Sequence, residues 1–165
     1  MKKTTFILFA LIAGTAFGQN SAEGTATVNA LIVSPIGVST ADNIDFGKIV
    51  KTVEGGIVEI PTDGGNRIIS DAMDITSDPA TAATFTVTAE ENTTYSVSIA
   101  QLILKNATDE TKTMTVDFTH SLSPDSNVSS GNTAASFVVG GKLNVGGNQT
   151  EGSYSGTATV TVSYE

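Results

Sequence analysis

Cysteine is absent from the 165-residue sequence. That excludes a disulfide framework, a lipid-attachment thiol, a thiolate nucleophile and a thiolate metal ligand. Basic side chains are few, eight Lys and Arg against seventeen Asp and Glu. Histidine occurs once, at His120. No apolar run reaches the roughly 20 residues that a transmembrane helix needs. No stretch of ten or more residues is amphipathic at the helical period, so helices are not expected either.

The one apolar run of note lies at the start. Lys2 and Lys3 form a positive segment, Phe6 to Ala13 an apolar one, and Ala16-Phe17-Gly18 a small-x-small site. This pattern is that of a secretory signal peptide over residues 1–18, cleaved before Gln19. The remaining chain, residues 19–165, is expected to be a single domain. Without Lys2 and Lys3 its net charge is 6 − 17 = −11, compared with −9 for the whole sequence. An acidic surface disfavours nucleic acid and anionic membranes, which require basic patches. After cleavage no integral membrane segment is expected, and the location implied is the periplasm, the cell surface or the exterior.

What the sequence does have is alternation. Gly152, Tyr154, Gly156, Ala158, Val160, Val162 and Tyr164 share one parity, and hydroxylic residues occupy the other. A strand sends alternate side chains to opposite faces, so one face is apolar and one polar. Such a strand belongs to an antiparallel sheet with one buried face. The same reading gives strands over 23–33 (Ala22, Gly24, Ala26, Val28, Ala30 and Ile32 on one face), 57–61, 67–70, 84–89, 94–99, 102–105, 113–118 and 135–145, with a short run at 44–50. Pro35 and Gly37 end the first of them. Asp63-Gly64-Gly65-Asn66 reads as a hairpin turn. Glu90 to Thr93 reads as a tight turn joining two strands, Gly140-Gly141 as a bulge, and 71–81 and 121–133 as loops. Nine or ten short strands at this spacing predict an all-β, antiparallel, immunoglobulin-like sandwich.

Chemistry-bearing patterns are sparse. His120 stands beside Thr119 and Ser121 with no G-x-S-x-G elbow anywhere, so it reads as a surface residue at a strand end. Gly141-Lys142 fails as a phosphate loop, because Leu143 replaces the Ser or Thr and Ser136 the first Gly. Asp71, Asp74 and Asp78 share one loop and offer hard oxygen ligands suited to calcium. Their spacing is not that of an EF-hand, and a solvated acidic loop is the default reading. Tyr95, Tyr154 and Tyr164 fall on apolar faces and read as core. No cofactor and no enzymatic activity are expected.

The ordered motifs Ile44-Asp45-Phe46-Gly47, Asp63-Gly64-Gly65-Asn66-Arg67, Phe85-Thr86-Val87-Thr88, Thr94-Tyr95-Ser96-Val97, Met114 to Phe118, Val139 to Leu143 and Gly152 to Tyr164 resemble a bacterial secreted family. It is the domain-of-unknown-function family numbered 4402, which implies a fold and a location more than an activity. More distantly the chain is similar to chaperone–usher pilins and spore-coat-U-like proteins. Those pilins close on an alternating strand with a penultimate Tyr, here Tyr164, and a Gly fourteen places from the end, here Gly152. In pilins that strand borders a groove filled by a donated strand. The resemblance therefore implies strand pairing through Gly152, Tyr154, Val160, Val162 and Tyr164, with itself, related subunits and a periplasmic chaperone as partners. Residues 22–32 are then either the first strand of the domain or a donated strand, with the sandwich beginning near Ile36. Two functions follow as expectations: a fimbrial, pilin-like structural or surface-assembly protein, or a self-contained secreted module binding glycan, calcium or protein.

Overall fold

The computed structural model describes residues 21–70, 73, 79–122, 126–128 and 134–165. Among them are eleven strands: β1 (Gly37–Thr40), β2 (Gly55–Ile60), β3 (Ile68–Ile69), β4 (Ala83–Thr88), β5 (Thr94–Ile99), β6 (Leu102–Asn106), β7 (Thr113–His120), β8 (Ser126–Val128), β9 (Ala135–Gly146), β10 (Tyr154–Ser155) and β11 (Val160–Tyr164). The protein is all-β with antiparallel pairing, as alternation requires. No helix among the described residues is long and apolar enough to cross a membrane.

The chain divides into two units, residues 1–32 and 33–165. The described part of the first, 21–32, contains no strand and is exposed throughout. Val28 is 90 % exposed and Ile32 94 %. The strand expected over 23–33 is therefore absent, and the first strand is β1. Alternation makes a segment fit to pair, but a strand also needs a neighbour to pair with, and residues 21–32 form no ladder among the described residues.

All eleven strands lie in the second unit, in two sheets. The larger runs β1-β4-β9-β7-β6-β10, with β2 also on β9 and β3 on β2. The smaller runs β11-β5-β8. β9 organises the larger sheet. Its first half pairs with β4, as far as Val139 with Ala83, and its second half with β2, from Gly141 with Ile60. Gly140 sits where the two partners meet end to end, and a Cβ there would overlap the Ile60 carbonyl oxygen. The β7 register runs on without a skip through Thr119–Gly140 and Phe118–Gly141. The two glycines therefore mark a close approach and not the expected bulge.

β4 and β5 alternate and follow one another closely, yet they lie in different sheets. The turn between them, with Asn92 at φ 55°, carries the chain from one layer to the other. Ala83 and Val87 of β4 and Tyr95 and Val97 of β5 then share one buried cluster with Phe137 and Val139. The Phe85 and Phe137 rings stack at 5.6 Å beside it. The C-terminal stretch likewise splits. β10 pairs with β6 in the large sheet and β11 with β5 in the small one, and Gly156–Thr159 belongs to neither.

A second buried cluster, Val58, Met73, Val116, Leu143 and Val145, lies on the inner face of β2, β7 and β9. No residue of β5 or β11 packs against it among the described residues. Phe46 and Ile49, from the irregular segment between β1 and β2, pack there instead. That segment is not the short strand expected over 44–50; it carries only isolated bridge positions, Asp45, which pairs with Thr81, and Ile49. Two further expectations change. The long loop over 121–133 contains β8, which pairs with β5. His120 is no surface residue: it is half-buried, meets Phe137 edge-on at 6.2 Å, and its buried Nδ1 finds no hydrogen-bond partner among the described residues.

Candidate assembly surface

Half of the large sheet's inner face is roofed by a sheet and half only by loops, and this leaves a groove of about 960 Å³. Its floor is apolar: Leu102 and Leu104 of β6, Met114, Val116 and Phe118 of β7, and Leu143 and Val145 of β9. Val116 and Leu143 are buried, whereas Leu102, Leu104, Met114 and Phe118 stay half-buried although they face inward. Burying apolar area gains about 25 cal/mol per Å², and these four side chains leave part of theirs uncovered.

Two walls stand on the floor. The first is Asp42–Ile49, continued by Lys51. The Gly47 amide donates to Asp45 Oδ1 at 2.8 Å, and Gly47 adopts φ 71°, where glycine carries no side-chain clash. Arg67 donates to the Phe46 carbonyl at 2.6 Å and fixes this wall from the β2–β3 turn. The second wall is Gln149–Ala158. Asn106, a buried polar residue, holds it. Its Nδ2 donates to the Glu151 carbonyl at 3.1 Å, and its Oδ1 accepts from the amides of Thr108 and Asp109. Gly152, at φ 136°, passes so close that a Cβ would lie 2.5 Å from the Asn106 amide nitrogen. Across the mouth Lys51 meets Glu151 at 2.8 Å, and that ammonium holds the Glu151 carboxyl below its ordinary range.

The strand residues singled out from sequence are thus placed differently from one another. Val160, Val162 and Tyr164 of β11 are half-buried against the inter-sheet core, while Thr161, Ser163 and Glu165 face out. Tyr154 belongs to the groove wall, where its hydroxyl donates to the Thr150 carbonyl at 2.7 Å and accepts from Gln149 at 2.8 Å. Gly152 serves the turn over Asn106. Asp71, Asp74 and Asp78, and the signal segment 1–18, lie outside the described residues. Among the described residues no three His, Asp or Glu side chains come together in a way that could hold a metal.

One constellation has no sequence signal. Tyr164 donates its hydroxyl proton to the Ser34 carbonyl at 2.8 Å and accepts from the Glu90 amide at 2.8 Å. Glu90 Oε2 in turn accepts from the Ser34 amide at 2.9 Å. Hydrogen bonding from the Ser34 side chain, and after it from the Ser34 amide, stabilises the charged carboxylate and holds the Glu90 carboxyl below its ordinary value of 4.5. A depressed folded value means the link is fully present above the unfolded value and is lost as pH falls through the folded one. The Ser34 amide resonance should therefore titrate with a midpoint below the ordinary Glu range. A midpoint at or above that range in an NMR titration would refute the link.

Residues 36–164 match the family described as Domain of unknown function (DUF4402). The chain belongs to this family. The DUF4402 match begins at residue 36, so the exposed segment 21–32 lies outside it. It contains the groove, both of its walls and β11. No curated protein and no solved structure matches the chain.

Proposed function

We propose that this protein is a secreted, non-enzymatic structural subunit that assembles by β-strand pairing. In this reading residues 22–32 of one copy enter the groove of another. The observation that carries it is a complementarity within one chain: an alternating apolar segment that forms no strand among the described residues, and an inner sheet face that loops, among the described residues, cover in place of a second sheet. Extended at about 3.3 Å per residue, that segment reaches roughly 36 Å, enough to run the length of a sheet. Its inward parity, Ala22, Gly24, Ala26, Val28, Ala30 and Ile32, mixes small and large residues, so the backbone can lie close over Leu102, Leu104 and Met114. Main-chain hydrogen bonds would supply affinity and the alternate side chains specificity. The Lys2 to Gly18 pattern supports export, and the alternating, pilin-like stretch from Gly152 to Tyr164 supports an assembling role.

The test is truncation. Mature protein lacking residues 21–32 should sediment as a monomer at concentrations where the parent forms higher species. Val28→Asp should act in the same direction, because it places a charge on the inward face. An unchanged size distribution for both variants would overturn the reading.

A further inference from the structure

Ser34 is bound more completely than its position requires. It is exposed and outside any strand, three residues before β1 begins. Yet both of its backbone polar groups are held by side chains far along the chain. Its carbonyl accepts from Tyr164, 130 residues away, and its amide donates to Glu90, 56 residues away. The Tyr164 hydroxyl uses its proton on Ser34 and a lone pair on the Glu90 amide. The three residues therefore form a closed ring joining the end of β11, the β4–β5 turn and the point from which the N-terminal segment departs. The Tyr164 ring packs half-buried against the inter-sheet core, which fixes where its hydroxyl can be.

A segment attached through a free linker samples many directions, and docking must then order it at the time of binding. Fixing its root beforehand removes part of that cost and raises affinity without adding any contact to the partner. We infer that Tyr164, acting with Glu90, is a positioning residue that fixes the root of the N-terminal segment at Ser34, so that less of the chain has to be ordered when the segment pairs with a second copy. This rests on the reading that residues 22–32 pair with another copy. It gives the penultimate tyrosine a role separate from core packing, because only the hydroxyl is needed for it.

The experiment compares Tyr164→Phe, which keeps the ring and removes the hydroxyl, with Glu90→Ala, which leaves the core untouched. In a Val28→Asp background, expected to hold the protein monomeric, Tyr164→Phe should speed amide hydrogen exchange at Glu90 about tenfold, the size expected for losing one or two net hydrogen bonds. Glu90→Ala should do the same at Ser34. With the native segment, each variant should weaken self-assembly by a similar factor while the urea midpoint stays near that of the parent. Unchanged exchange at both amides would refute the clamp. Faster exchange with assembly equal to the parent would refute the positioning role alone. Assembly that falls only in step with the urea midpoint would reduce Tyr164 to a packing residue. If removing residues 21–32 leaves assembly intact, the assembly reading itself fails, and the positioning role fails with it.

Discussion

Val97→Asp should unfold the domain at a urea concentration about 2 M below that of the parent, whereas Ser98→Asp should move the midpoint little. Val97 is 7 % exposed in the middle strand of the small sheet and packs in the inter-sheet cluster with Tyr95, Val87 and Phe137. Removing its side chain forfeits about 1.5–3 kcal/mol of burial. Placing a carboxylate there without a partner costs at least as much again. The sum, about 4 kcal/mol, is large against a total stability of about 5–15 kcal/mol. At a urea dependence of about 2 kcal/mol per molar it gives the stated shift. Ser98 is one residue away, exposed, and paired with exposed Thr161 of β11. Its replacement meets only the strand preference of the residue, about 1 kcal/mol or less. Equal midpoints for the two variants would mean that the small sheet does not face the core by this parity.

Gly140→Ala is the second large effect. The added methyl would overlap the Ile60 carbonyl oxygen, and the Pro61 backbone lies close behind it. Both obstacles are main chain, so no rotamer change relieves them. β2 or β9 must shift, and β9 is held on its other edge by β7 through six paired residues. A loss of about 3 kcal/mol is expected, at the upper end for forced overpacking. Gly37→Ala is the control, because a Cβ there has nothing within 4 Å. A urea midpoint for Gly140→Ala as high as that for Gly37→Ala would disprove the close approach.

Much of the fold was legible because parity reports which side of a strand meets apolar material. β4, β5, β7 and β9 fall within a few residues of their expected positions, and β11, shorter than expected, keeps Val160, Val162 and Tyr164 on the inward face. Parity does not report the neighbour. β4 and β5 each contribute one face to the same interior, so both alternate, and nothing local shows that a layer change separates them. Residues 22–32 alternate equally well without forming a strand. β8, Ser-Asn-Val, is too short and polar to carry any pattern. The site was less legible still. Asn106, Ser34 and Glu90 are ordinary turn or linker residues in sequence. Their roles arise from groups 45 to 130 positions away, a relation that no window on the chain contains.

The division of the C-terminal stretch between the two sheets bears on the order in which the chain can fold. β10 completes the β6 edge of the large sheet, and β11 pairs with the middle strand of the small one. A ribosome delivers the chain N-terminus first. Until Tyr154–Tyr164 has emerged, β6 and β5 each keep an unpaired edge, and the hydroxyl that secures Ser34 does not yet exist. Closing contacts over such separations demands loop-closure entropy before it returns any pairing, which makes for slow folding. The nascent protein therefore stays unfinished in both layers at once until Tyr154–Tyr164 arrives.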